Sequence, residues 1–324
     1  MRAFITGGTG FIGGHVVDRL LGQGHSVRLL SRKPVLPPRW EGRDVAVVQG
    51  DLLDAEAAAA AMKGSDVVFH IGEIKNTTAS ASEKNVDLVR KMTGELKYAS
   101  VKRFVFVSSV SVAGVPSASR ATEEDEPAFA LRDMYTEYKR RAEELVRQSY
   151  NGAEHAIVRP GIVYGPGSRH LGSMLRAVAK FGPIGIPFIG SGRNKAPFVQ
   201  VQDLAQAIVL AGTRPEAANQ TFNVTDATAH TWAEFFSAIG RAQGKDVRLV
   251  PLPPFLLRLP AVFADLFAGL AGFQLDLNHY ITFMSRSVDF DPEKARRLLG
   301  WEPEHGDLAA AIREMVDSYG KKEQ

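Results

Sequence analysis

The sequence predicts an α/β fold, with a doubly wound parallel sheet and a smaller C-terminal lobe, on three observations. Strand-like and helix-like segments alternate through the first 160 residues. The strand-like segments are nearly continuous apolar runs, which are typical of parallel strands covered on both faces. After Pro160 the alternation breaks, and glycine and proline accumulate over residues 161–192.

The predicted elements follow one another in a regular order. Predicted strands cover residues 2–6, 26–31, 45–49, 66–71, 103–108 and 155–159, and predicted helices cover 11–23, 55–62, 82–100 and 133–150. A strand and a helix are predicted over 198–212, a short strand over 221–224 and an amphipathic helix over 308–319. We expect one domain over residues 1–160 and mainly a substrate-binding lobe over 161–324, with 198–224 returning to the first domain.

Composition excludes several classes of protein. Hydrophobic residues make up 45% of the 324 and charged residues 23%, as in globular proteins. The net charge of +3, from 39 basic and 36 acidic residues, is too small to indicate nucleic-acid binding. The absence of cysteine excludes disulfides, thiol nucleophiles and cysteine-ligated metals. The histidines lack the spacing of metal ligands, so no metal is predicted.

No export signal or spanning helix is expected. A strand-like start followed at once by glycines leaves no room for the apolar core of a signal peptide. The most apolar stretch, from Leu249 to Leu275, is interrupted by Arg258, Asp265 and several prolines. No uncharged run within it is long enough to cross a bilayer. We predict a cytoplasmic protein that contacts a membrane peripherally through this stretch.

A glycine-rich turn between the first strand and the first helix predicts a Rossmann dinucleotide site over residues 1–160. It reads Thr6-Gly7-Gly8-Thr9-Gly10-Phe11-Ile12-Gly13. Gly7 permits the tight turn, Gly10 lets the backbone approach a pyrophosphate, and Gly13 lets the helix pack on the strand. Phe11 and Ile12 begin the helix, whose N-terminus attracts the phosphates.

The residues after the second strand favour NADP(H), with NAD(H) as the alternative. An NAD site usually has an acidic residue here to hold the ribose 2′-hydroxyl. This chain has Ser31-Arg32-Lys33 instead. Arg32 can bind a 2′-phosphate with its planar guanidinium, although a solvated basic turn is the alternative. Asp51, before Leu52, is expected to accept from the adenine amino group or to act as a turn residue.

Three further residues predict the catalytic site. Tyr135 and Lys139 are four apart on a predicted helix and therefore share one face. Ser108 and Ser109 end the preceding strand, at the sheet edge where parallel strands present ligand-binding groups.

These motifs together resemble the extended short-chain dehydrogenase/reductase family, of the NAD-dependent epimerase/dehydratase type. The resemblance covers nearly the whole chain and rests on the order and spacing of the motifs. They are Thr6–Gly13, Asp51-Leu52, residues 66–70, Asn85, Ser108-Ser109, Tyr135 with Lys139, residues 159–166, 198–203 and 290–295, and Leu299-Gly300-Trp301. Val112-Ala113-Gly114 and the proline-rich stretch resemble 3β-hydroxysteroid dehydrogenase-like members, close to dihydroflavonol reductase-like ones.

The resemblance implies roles for individual residues. Tyr135 would be the general acid/base, and Lys139 would lower its pKa and hold the nicotinamide ribose. Ser109 would hydrogen-bond the substrate oxygen, and Ser111 is a weaker candidate for that role. Related enzymes often dimerise through the helix that carries the tyrosine, so a homodimer is expected.

Departures from the family pattern bear on the substrate. Ile162 stands where nucleotide-sugar enzymes have Asn, and Ala196 where they have Arg, although Arg193 and Lys195 are near. A diphosphate would need charged partners there. Glu73 replaces a small residue beside the nicotinamide. It is interpreted either as a second acid/base or substrate-hydroxyl partner, or as a solvent-facing carboxylate.

Three functions remain open at this point. The first is an NADP(H)-dependent oxidoreductase that interconverts a secondary alcohol and a ketone on a bulky apolar skeleton, sterol-like or terpenoid-like. The second is a nucleotide-sugar epimerase that recycles its cofactor. The third is a non-catalytic NADP(H)-sensing module, which the presence of Ser109, Tyr135 and Lys139 disfavours.

Overall fold

The structure, a computed structural model, describes most of the chain. The described residues are 1–74, 78–131, 133–149, 152–168, 171–270 and 277–320. The last positions of the apolar stretch 249–275, from 271 onward, therefore lie outside the described residues.

Strands and helices alternate along the first half of the chain. The strands are β1 (Arg2–Thr6), β2 (Ser26–Ser31), β3 (Val45–Gln49), β4 (Val67–His70), β5 (Arg103–Val107), β6 (Val115–Pro116), β7 (Pro127–Phe129), β8 (Glu154–Pro160), β9 (Ile162–Tyr164), β10 (Ile186–Ile189), β11 (Lys195–Ala196), β12 (Phe198–Gln200), β13 (Gln220–Val224), β14 (His230–Thr231) and β15 (Leu249–Leu252). The helices are α1 (Phe11–Gly22), α2 (Ala55–Ala60), α3 (Ala79–Ala99), α4 (Met134–Gln148), α5 (Gly172–Phe181), α6 (Val201–Thr213), α7 (Trp232–Ala242), α8 (Pro254–Leu270), α9 (Leu277–Met284), α10 (Glu293–Leu299) and α11 (Leu308–Gly320).

Seven parallel strands form the central sheet, in the order β13-β8-β5-β4-β1-β2-β3. The strand order reverses between β1 and β4, and such a switch point opens a crevice at the carboxyl ends of the strands. This topology confirms the predicted doubly wound α/β fold.

Helices cover both faces of the sheet. On one face α1 packs against α6, and their apolar side chains form a core with the sheet that includes the buried Trp301. On the other face α2 and α4 pack against α3 over a second core. The segment 201–224 contributes α6 and β13 to this layered body.

A smaller group of elements from the second half has a core of its own. It contains α5, α7 and α11, which pack around the stacked rings of Phe198 and Phe235, 4.2 Å apart. Two short parallel strand pairs, β10 with β15 and β9 with β12, belong to it.

Most predicted boundaries agree with the structure to within three residues, and the differences have local causes. The helix predicted over 82–100 begins at Ala79, because the Thr78 hydroxyl accepts from the amide of Ala81 at 3.2 Å and caps it. The strand predicted over 66–71 ends at His70, because the amides of Ile71 and Gly72 both donate to the Thr6 carbonyl. In the described parts of the chain, none of the helices has the length and apolar character needed to cross a bilayer.

Candidate active site

A cleft of about 1020 Å³ lies at the carboxyl ends of the central strands. Its walls come from the segments that follow β1, β2, β3, β4, β5 and β8. The sequence-predicted residues that line it are Gly7, Gly10, Phe11, Ile12, Gly13, Arg32, Asp51, Leu52, Glu73, Ser109, Tyr135, Lys139 and Ile162. Its volume is in the range expected for a cofactor together with a small substrate.

Glycines shape the floor of this cleft between β1 and α1. Gly7 has a φ of 72°, in the left-handed region that favours glycine, and its carbonyl accepts from the amide of Gly10 at 2.9 Å. A Cβ atom on Gly13 would overlap the carbonyl of Gly7. A Cβ on Gly7 would lie 2.5 Å from the backbone of Gly72. The backbone amides at the start of α1 therefore face the cleft without side chains in between, a cradle that fits a pyrophosphate.

The adenosine end of the cleft is basic at β2 and acidic at β3. Arg32 is exposed and lines the cleft directly after Ser31. Asp51 lines the cleft after the neighbouring strand β3, and its carboxylate accepts from the amide of Leu53 at 3.1 Å. Asp51 therefore acts as a turn residue and also lines the cleft, so the two expectations for it are compatible.

Tyr135 and Lys139 lie one turn apart at the start of α4. The helix begins there because the Asp133 carboxylate caps it, accepting from the amide of Thr136 at 2.9 Å. The buried Lys139 donates from Nζ to the carbonyl of Val107 at 2.9 Å, and this ammonium lies 5.6 Å from the ring of Tyr135. The lysine is therefore fixed between the tyrosine and the end of β5.

The electrostatics of Tyr135 depend on three neighbours. Burial raises the pKa of Tyr135 to about 12, Lys139 opposes the rise, and the charge of Glu73 adds to it. The Ser109 side chain also lowers the pKa of the tyrosine. Ser109 and Tyr135 thus already share the site where a substrate oxygen would bind, and a nearby cation stabilises the tyrosinate.

Glu73 turns toward the catalytic helix. Its carboxylate lies 3.3 Å from Lys139 Nζ and accepts from the Tyr138 hydroxyl at 3.5 Å. Burial and this carboxylate raise the pKa of Tyr138. The carboxylate remains partly exposed to the cleft, so of the two interpretations of Glu73 the geometry favours a role in the site.

A buried charge network supports the site from behind. The carboxylate of Glu143, fully buried on α4, accepts from Ser108 Oγ at 2.6 Å and from Arg159 Nε at 2.8 Å. Arg147, one turn further along α4, also donates to the Glu143 carboxylate, at 2.6 Å. Burial opposes ionisation of Glu143, but the hydrogen bond and charge of Arg159 outweigh it and lower the pKa.

The substrate end of the cleft is apolar along the segment after β8. It is lined by Pro160, Gly161, Ile162, Val163 and Leu171. Ala196 is buried in the lobe. Nearby, Lys195 is paired with Asp289 at 3.1 Å and Arg193 is exposed.

One sequence-predicted residue does not reach the cleft. Ser111 is absent from the described lining, and its amide donates to Ser109 Oγ at 3.1 Å. It contacts the site through Ser109.

Sequence reasoning missed Gly72, Glu143 and the pair of Thr6 with His70. Thr6 Oγ1 and His70 Nδ1 lie 2.7 Å apart where β1 and β4 end, and burial and Lys139 lower the pKa of His70 to about 3. The available signal for Glu143 was spacing, since residues 135, 139 and 143 lie on one helix face.

The fold and this cleft define an NAD(P)-dependent enzyme of the oxidoreductase type. Residues 3–225, more than two thirds of the chain, match the NAD dependent epimerase/dehydratase family. The chain therefore belongs to that family, as the resemblance implied.

Curated relatives include lipid enzymes and a sugar enzyme. Ceramide reductase of Caulobacter vibrioides is 28% identical, over 95% of this chain and 88% of that protein. 3 beta-Hydroxysteroid dehydrogenase/Delta 5→4-isomerase of Mycobacterium tuberculosis is 30% identical, over 93% and 86%. UDP-glucose 4-epimerase of Vibrio cholerae is 28% identical, over 92% and 90%.

A solved structure shares the fold. MoeE5 in complex with UDP-glucuronic acid and NAD aligns with a TM-score of 0.76 and 20% identity, over 99% of this chain and all of that one.

Proposed function

We propose that this protein is an NADP(H)-dependent oxidoreductase that interconverts a secondary alcohol and a ketone on a bulky apolar substrate, of sterol or terpenoid type. Ser109 binds the substrate oxygen, Tyr135 transfers its proton, and Lys139 stabilises the tyrosinate. The nicotinamide, when bound, supplies the hydride chemistry.

The proton chemistry follows from the contacts among these three residues. In alcohol oxidation, deprotonated Tyr135 accepts the hydroxyl proton; in ketone reduction, the neutral tyrosine returns it. Ser109 and Tyr135 both line the cleft, so a substrate oxygen that binds to both hydroxyls is oriented by two groups. Lys139 carries a fixed positive charge beside the ring, which favours the tyrosinate in this half-buried site.

The single observation that carries the substrate class is the apolar lining after β8. Ile162, Val163 and Leu171 present no group that could bind a diphosphate, and the nearby Lys195 is held by Asp289. Buried apolar contacts instead favour a hydrocarbon skeleton. The names of the ceramide and steroid relatives support the same class.

The preference for NADP(H) rests on Arg32. Its guanidinium lies on the cleft wall at the end of β2, where an acidic residue would bind a free 2′-hydroxyl and repel a phosphate. A guanidinium supplies charge-assisted hydrogen bonds to the 2′-phosphate.

A second candidate is a nucleotide-sugar 4-epimerase, which the similarity to UDP-glucose 4-epimerase favours. Such an enzyme would retain its cofactor and return the hydride to its substrate, so the cofactor would show no net change.

The first test is the absorbance at 340 nm of purified protein with NADP⁺ or NAD⁺ and a panel of 3β-hydroxysterols and hydroxy-terpenoids. The reverse reaction is followed with NADPH and the corresponding ketones. Cofactor turnover that disappears in Tyr135→Phe supports the oxidoreductase. Turnover that persists in Tyr135→Phe contradicts the assigned chemistry, and a flat trace with conversion of UDP-glucose to UDP-galactose supports the epimerase.

A further inference from the structure

Helix α8 exposes an unusual apolar surface. Seven of its large side chains are 52 to 71% exposed, and we call them the outer face of α8. They are Phe255, Leu256, Leu259, Val262, Phe263, Leu266 and Phe267. Their spacing of three, four and seven residues places them on one broad side of the helix.

The opposite side of α8 is attached to the protein. Ala261 is buried, and α8 packs against α9. Asp265 Oδ1 accepts from the amide of Leu277 at 2.9 Å, and Oδ2 accepts from that of Asn278 at 3.3 Å, so this acid serves the N-terminus of α9. The helix, about 25 Å long, is thereby attached to α9, with the outer face turned to solvent.

The charge pattern around the outer face is one-sided. α8 contains two charged residues, and Asp265 is occupied at α9 while Arg258 is exposed at the margin of the apolar side. Val250, in the strand β15 that precedes α8, adds a further exposed apolar side chain.

We propose that the outer face of α8 docks on the surface of an anionic lipid bilayer. An apolar helix face with a cation such as Arg258 at its margin can bury its side chains among acyl chains while the cation contacts anionic headgroups. A protein partner is less suited, because specific protein interfaces carry about one hydrogen bond per 100–200 Å², and the seven side chains offer no donor or acceptor. The contact with α9 leaves the outer face free to lie on a membrane surface.

The test is co-sedimentation of the full chain with phosphatidylcholine vesicles, with and without phosphatidylglycerol. The test variant is Leu259→Gln/Phe263→Gln, and the matched control is Val35→Gln/Tyr98→Gln, two exposed apolar residues elsewhere on the surface. Thermal unfolding checks that both variants fold. A third variant, Arg258→Gln, probes the headgroup contact.

We expect the parent protein and the control to pellet with phosphatidylglycerol vesicles, and the test variant to lose about tenfold in binding. Arg258→Gln should reduce only the dependence on phosphatidylglycerol. A parent protein that stays in the supernatant, or a test variant that binds as well as the control, overturns the proposal. So does a parent dimer that the test variant converts to monomer without vesicle binding, since a second copy would then cover the face. This inference does not rest on the proposed function, because the readout requires no activity.

Discussion

The carboxylate of Glu73 lies 3.3 Å from the ammonium of Lys139, inside the cleft that holds Tyr135. Lys139 favours the tyrosinate, whereas Glu73 opposes it. Burial raises the pKa of Tyr135 most, and these two opposing charges then adjust the pH at which Tyr135 can act as a base.

Glu73→Gln should shift the pH profile of alcohol oxidation toward lower pH. Removing the negative charge lowers the pKa of Tyr135, so the alkaline rise in kcat begins earlier, by about one pH unit or less. The measurement is kcat between neutral pH and the alkaline limit of stability. Glu137→Gln, an exposed acid on the same helix that pairs with Arg140, is the control. An unmoved profile in Glu73→Gln would remove the carboxylate from the proton chemistry.

Tyr135→Phe should lower kcat by about 10²- to 10⁴-fold, because general acid/base catalysis contributes on that order. Cofactor affinity, measured by fluorescence quenching on titration with NADPH, should change little. Tyr138→Phe is the matched control: it is a buried tyrosine on the same helix that hydrogen-bonds Glu73. If Tyr138→Phe lost activity as fully as Tyr135→Phe, the assignment of the acid/base would be wrong.

Glu143→Gln should destabilise the fold by about 3–5 kcal/mol, because Arg159 would keep a buried charge without its counter-charge. The lowered pKa of Glu143 also makes a pH-dependent contribution: stability is present above the unfolded-state pKa and is lost as the pH falls through the folded one. Urea unfolding at neutral and acidic pH measures both effects. The exposed neighbour Glu144 supplies the control Glu144→Gln, and equal losses in the two variants would contradict the network.

Arg32→Gln should weaken NADPH binding by about tenfold or more and leave NADH binding nearly unchanged, because a charge-assisted pair to the 2′-phosphate is lost. Isothermal titration with both cofactors gives the two dissociation constants. Lys33→Gln tests whether a general basic turn is enough. If Arg32→Gln affected both cofactors equally, the NADP(H) preference would have no basis in this residue.

Local patterns predicted the fold and much of the candidate site. The strand at Arg2–Thr6 and the glycine turn after it can be predicted from the sequence, because a short run of residues determines both. The spacing of Tyr135 and Lys139 needs only a helix. The sequence alone therefore predicts the phosphate-binding turn together with Ser109, Tyr135 and Lys139.

Contacts between distant segments could not be predicted in this way. Glu143 meets Arg159 only because α4 crosses the end of β8, and Thr6 meets His70 because β4 lies beside β1 in register. Gly72 approaches Gly7 for the same reason. The alternation of segments gives the elements but not the register that brings these side chains together.

Asp226→Asn should stabilise the protein at alkaline pH and not at acidic pH. Burial raises the pKa of Asp226 to about 7, against the hydrogen bond from the Gln200 amide at 3.1 Å and the influence of the Tyr164 hydroxyl, which both favour ionisation. A carboxyl group whose folded pKa lies above its unfolded value of about 4 makes stability fall as pH rises between the two, because the unfolded chain releases its proton first. Asparagine keeps an acceptor oxygen and cannot ionise, so it avoids this loss, on the order of 4 kcal/mol above pH 7. Thermal unfolding of both proteins at pH 4 and pH 8 is the measurement, and exposed Asp246→Asn is the control. Equal unfolding temperatures at pH 8 would mean that Asp226 ionises in the folded protein as readily as in the unfolded chain.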